Sequence, residues 1–145
     1  MTEIKIGGRT IPLLFTVYEM IAIQADIECT AAELREKVFG IVENEDNPEE
    51  SRITVAEDPE KLIKLGKLIR ILGNAGLEER GEEPDLTDKW VLRNMKPGLV
   101  IGYAVMAMSE IVDGMTMESP ALQEPEQGPV DEVLEEQEAK KGQGD

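Results

Sequence analysis

The chain has 145 residues, with 31 Asp and Glu against 15 Lys and Arg, a net charge of −16, no histidine, one cysteine and 3% aromatic residues. That length suits one domain, or a domain and a tail. Without histidine the commonest general base and transition-metal ligand are missing; a lone cysteine excludes an intramolecular disulfide and a cysteine-cluster zinc site; and the acidic balance argues against nucleic acid and anionic membranes.

Met1-Thr2-Glu3-Ile4-Lys5-Ile6 alternates, so it lacks the basic start and apolar core of a signal peptide. The longest apolar run, Leu99 to Met108, has ten residues including Gly102, against roughly 20 for a membrane span. The expectation is a soluble, intracellular protein whose Cys29 suits a reducing compartment.

In the first fourteen residues Ile4 and Ile6 alternate with Glu3 and Lys5, Gly7-Gly8 supplies a two-residue turn, and Thr10-Ile11-Pro12-Leu13 returns. This predicts a β-hairpin, with Pro12 placing the second strand at an edge or ending it there. Thr16-Val17-Tyr18-Glu19 is a capping box with Phe15 and Met20 at the staple positions, and predicts a helix to about Glu28. A second box, Thr30-Ala31-Ala32-Glu33, predicts a helix to about Glu43, with Leu34, Val38, Ile41 and Val42 on one side, and hence an αα-hairpin. Residues 44–57 read as a polar loop. Asp58-Pro59 starts a third helix that carries Leu62, Leu65, Leu68, Ile69 and Leu72 towards a core and ends at Gly76 as a C′ glycine. After an acidic loop over 77–85, Thr87 or Asp85 caps a short fourth helix bearing Trp90, Val91 and Met95. Pro97 opens a fifth helix that runs to about Met117.

From Ser119 the composition changes. Pro120, Pro125, Gly128 and Pro129 fall close together, and residues 118–145 hold nine acids against two lysines, a net of −7. Low hydrophobicity with high charge predicts disorder, with one short helix over 130–141, where Val130, Val133 and Leu134 give a thin apolar edge. The fold class read from the sequence is mainly α: an N-terminal β-hairpin packed on a bundle of about five helices over residues 1–117, then a disordered acidic tail over 118–145.

Four features bear on function. Leu99 to Met108 is apolar on all sides, as a central core helix would be. Met95, Met106, Met108, Met115 and Met117 cluster on and around it, and flexible methionines also suit a groove for apolar partners. The candidate groove residues are Met106, Met108, Met115 and Met117. The second feature is Lys61-Leu62-Ile63-Lys64-Leu65-Gly66-Lys67-Leu68-Ile69-Arg70, with four cations and no acid. Lys61, Lys64, Lys67 and Arg70 form either a solvated face or a dock for an acidic segment. Third, Glu43 to Asp46 and Glu78 to Glu83 are dense in carboxylates but lack the alternating ligands and central glycine of an EF-hand loop, so no metal site is expected. Fourth, Cys29 has no histidine to activate it and reads as a packing residue. No phosphate loop, cofactor motif or catalytic set is present, and the expectation is a non-catalytic adaptor.

The order Ile4-Lys5-Ile6-Gly7-Gly8-Arg9-Thr10-Ile11-Pro12-Leu13-Leu14-Phe15-Thr16-Val17-Tyr18, then Leu68-Ile69-Arg70-Ile71-Leu72-Gly73-Asn74-Ala75-Gly76, Gly114-Met115 and an acidic Lys-ended tail, resembles tail assembly chaperones of long non-contractile-tailed phages of Gram-positive bacteria. The resemblance covers residues 3–117, weakens over 44–57, and implies a role in tail morphogenesis in the host cytoplasm. It implies binding of the tape measure protein, help in recruiting tail tube subunits, and absence from the mature virion. It also implies a frameshifted longer form of the same chain, for which a slippery run encoding Lys140-Lys141 is a candidate. Two other classes stay open on the residues themselves: a structural connector or tail-completion protein, and a small acidic regulator of a host factor.

Overall fold

A pair of adjacent glycines reverses the chain almost at once. In the computed structural model, which describes residues 1–42, 46 and 52–116, strand β1 (Thr2–Ile6) pairs antiparallel with β2 (Arg9–Leu13) in the register Ile4↔Ile11 and Ile6↔Arg9. Gly7 and Gly8, at φ 58° and 81°, form the intervening type I′ turn, whose twist matches that of the strands. Ile4, Ile6, Ile11 and Leu13 are all buried.

Helix α1 (Val17–Ile27) begins at the Thr16 box, where Glu19 Oε1 accepts the Thr16 backbone N–H at 2.9 Å and the Thr16 hydroxyl donates to the same carboxylate. It ends at Glu28 in the left-handed conformation, φ 63°. The Thr30 box is also formed, with Glu33 N–H donating to Thr30 Oγ1 at 3.3 Å. The helix it opens is short. After a 3-10 turn (Ala31–Glu33), α2 spans only Leu34–Lys37, so the expected helix to Glu43 and the αα-hairpin are corrected. Gly40, at φ 63°, turns the chain out of helical geometry, and Ile41–Val42 forms strand β3, antiparallel to β4 (Arg52–Ile53). The expected loop over 44–57 therefore contains, in its described part, β4 and a 3-10 turn (Val55–Glu57) with Val55 fully buried. Thr54 fastens this return, donating both its backbone N–H (3.0 Å) and its hydroxyl (2.6 Å) to the Gly40 carbonyl.

Helix α3 (Pro59–Glu79) is the longest and occupies the centre of the core. Asp58 caps it by accepting Glu60 N–H at 2.9 Å, and Leu65, Leu68, Ile69 and Leu72 are 0% exposed. It passes through Gly76 instead of ending there, and Gly81 at φ 76° follows it. Gly76 serves close approach: a Cβ at this position would lie 2.0 Å from the Pro12 carbonyl oxygen. One face of α3 thereby sits directly on β2, and Leu14 N–H donates to the Leu72 carbonyl at 3.0 Å.

Asn74, on the same helix, accepts Leu86 N–H at 2.9 Å and donates to Leu86 C=O at 3.1 Å, holding the loop before α4 as a strand neighbour would. Asn74→Ala leaves both backbone groups of a buried residue without partners, so a loss of about 2 kcal/mol is expected in denaturant melts. Thr87, not Asp85, caps α4 (Asp88–Asn94) by accepting Trp90 N–H at 3.0 Å. Pro97–Leu99 forms a 3-10 turn that leads into α5 (Val100–Met115).

The chain thus has an N-terminal β-hairpin and a mainly helical body with five α-helices among the described residues. Residues Met1–Gly114 form one compact unit, and the chain from Met115 onward is set apart from it. Of the latter, only Met115 and Thr116 are described, so the expected disordered tail and the 130–141 helix lie outside the described residues.

Candidate functional site

The fifth helix is not the central core helix; α3 holds that place. Val100, Tyr103, Ala104, Ala107, Glu110 and Ile111 of α5 are buried, while Leu99 just before it and Ile101, Val105, Met106, Val112 and Met115 along it are exposed. At 100° per residue these side chains fall into three lanes. The buried lane packs into the domain. Its one charged member, Glu110, accepts Thr2 N–H at 2.9 Å, and this lane's last turn is set by Gly114, where an added Cβ would lie 2.9 Å from the Phe15 carbonyl oxygen.

The second lane holds Ile101, Val105, Met108 and Val112. Ile101 is 48% and Val112 60% exposed, whereas Met108 is half-buried against the core. Val105, Met108 and Val112 line a shallow groove with Ser109 and Asp113. The third lane holds Leu99, Gly102 and Met106. It lines a second apolar groove of about 450 Å³ against Glu3, Ile4 and Lys5 of β1, and Val105 borders both grooves. Met106 and Met108 thus lie about 160° apart around the helix, so the two do not border one groove. Met115 ends the helix, 52% exposed, and Met117 lies outside the described residues. Met95 is buried.

By length and composition Pro97–Met115 could cross a membrane, which the ten-residue apolar run had not suggested; 33% of it is buried in the structure. An exposed apolar surface on so acidic a chain marks a place for association.

The basic segment of α3 is largely engaged within the molecule. Lys61 pairs with Asp58 at 3.1 Å, and Lys67 with Asp88 at 2.9 Å; Arg70 reaches Asp26 at 3.2 Å and also bonds Asp88. Lys64 is half-buried. Three of the four cations therefore tie α3 to α1, to α4 and to its own N-cap; the Lys61–Asp58 pair is local, but sequence spacing could not show the others, because Asp26 and Asp88 lie on other helices. Burial pushes the Asp88 carboxyl up, but the hydrogen bonds from Lys67 and Arg70 outweigh it and hold it below the ordinary aspartate value of 3.8. Such a group stabilises the fold fully above its unfolded-state value, and the contribution disappears as pH falls through the lowered folded value. Asp88→Asn is expected to cost about 1 kcal/mol at neutral pH, after solvent screening of this partly exposed cluster. The difference from wild type should shrink below about pH 4 in acid-unfolding curves.

Cys29 is buried, and among the described residues no group of three or more His, Cys, Asp or Glu side chains could hold a metal ion. The exposed side chains of α5 offer apolar contact. Compared with known families, with curated proteins and with solved structures, the chain finds no match.

Proposed function

We propose that the chain is a tail assembly chaperone of the phage type that its residue order resembles, holding the tape measure protein in solution during tail morphogenesis. The supporting observation is the apolar lane of exposed Ile101, Val105 and Val112 with half-buried Met108, on a helix whose other face is anchored in the domain, in a chain of net charge −16. An apolar helical client meets a lane of matching periodicity, and the surrounding charge keeps the complex dispersed. Reversible masking needs no nucleotide: bound client is withdrawn from aggregation by mass action. In this reading the protein acts in the host cytoplasm, recruits tail tube subunits to the client, works beside a frameshifted longer form of itself, and is absent from the virion.

The test is co-expression with the tape measure protein encoded beside it. Wild type should keep the client in the soluble fraction and co-purify with it, and mass spectrometry of purified virions should not find the chain. Client solubility unaffected by the chain contradicts the chaperone reading. Stoichiometric presence in virions supports the structural connector instead.

A further inference from the structure

The type I′ turn fixes which backbone groups of the hairpin are satisfied. A two-residue turn of this kind closes on a hydrogen-bonded pair, here Ile6↔Arg9, and pairs alternate from there. Lys5↔Thr10 and Glu3↔Pro12 are therefore non-hydrogen-bonded, which is where a proline without an N–H is tolerated. The N–H and C=O of Glu3 and Lys5 consequently point away from β2. The outer side of β2 is occupied by α3, through Gly76 against Pro12 and Leu14 N–H on Leu72. β1 pairs with no strand but β2 among the described residues, and beside its open edge lies the apolar groove lined by Ile4, Lys5, Leu99, Gly102 and Met106.

We propose that this edge and groove are filled by a second copy of the chain, β1 pairing antiparallel with the partner's β1 about a twofold axis at Ile4. The charges select the occupant and the register. Centred on Ile4, Glu3 faces Lys5 of the partner subunit and Lys5 faces Glu3 of the partner subunit, so the outward hydrogen-bonding residues meet in two opposite-charge pairs. A register centred on Glu3 or on Lys5 sets like charges against each other. Arg80 already bonds Glu3 Oε2, orienting that carboxylate at the edge. Two hairpins become one four-stranded sheet, which removes an exposed edge that would otherwise invite uncontrolled pairing.

The same operation closes the groove. Opposed residues of a β pair project to one face of the sheet, so both α5 helices lie under that face near the axis. Leu99 and Met106 of each copy then fill the space beside the other's edge, and Gly102, where an added Cβ meets nothing within 4 Å, permits close approach. The lane proposed for the client meets this groove only at Val105, and association of the chain with itself is read with no client present, so the dimer stands or falls without reference to any client.

Sedimentation equilibrium of the full chain tests it, with Lys5→Glu, Glu3→Lys and the double exchange E3K/K5E. Both positions are exposed, and circular dichroism checks that each variant is folded. Wild type should dimerise, and each single reversal should weaken the dimer about tenfold or more. The double exchange should dimerise more tightly than either single reversal, because positions 3 and 5 then again face each other with opposite charge, although position 3 no longer bonds Arg80. A wild type that stays monomeric at millimolar concentration, single reversals without effect, or a double exchange that dimerises no more tightly than the single reversals would each overturn the proposal.

Discussion

Replacing Gly76 by alanine is expected to destabilise the protein by about 3 kcal/mol or more, a fall in Tm of roughly 10 °C. The added Cβ would sit 2.0 Å from the Pro12 carbonyl oxygen and 2.5 Å from its carbon, both backbone atoms of β2. Neither can rotate aside, so the helix must lift off the strand. That movement stretches the Leu14–Leu72 hydrogen bond on the same edge and opens the contact that buries Ile11 and Leu13. Gly73→Ala provides the scale. Its Cβ meets only the side-chain atoms Leu86 Cδ1 at 2.6 Å and Ile11 Cγ2 at 2.9 Å, which can yield, so a cost of about 1 kcal/mol is expected. Equal losses for the two variants in urea melts would contradict this account of how α3 meets the hairpin.

Gly76 also shows where sequence reading stops. A glycine after an apolar helical stretch carries the same local signature whether it ends the helix or admits another segment, and only the position of β2 separates the two. The caps were legible because their chemistry is local: the Thr16, Thr30 and Asp58 signals each form within three residues of their partners. The length of the second helix was not legible, because Gly40 is a local break whose effect is fixed only by the pairing of Ile41 with the remote Ile53. The methionine cluster likewise pointed to the exposed fifth helix. Which methionines share a lane depends on how α5 is rotated against the domain, and that rotation is set by Glu110 on Thr2 and by Gly114 against Phe15. The cations of α3 illustrate the same limit, since Asp26 and Asp88 lie on other helices.

The second large effect concerns the client lane. Ile101→Asp combined with Val112→Asp is expected to leave the melting temperature within a few degrees, because both side chains are exposed. Client affinity should fall about a hundredfold, since two apolar contacts worth roughly 1.5 kcal/mol or more each are lost and charge is placed where they were. Lys64→Glu, on α3, is the control and should change client affinity little. A comparable loss from the α3 variant would move the site to the basic face.

The methionines allow the central claim to be measured directly, because they occupy distinct surroundings. With their methyl groups labelled, a segment of the tape measure protein can be titrated into the full chain and followed by NMR. The Met108 signal, in the exposed lane of α5, is expected to shift with saturation, while buried Met95 and Met20 on α1 stay in place. Shifts at Met20 or Met95 with Met108 unmoved, or no shift at any methionine at saturating client, would contradict it.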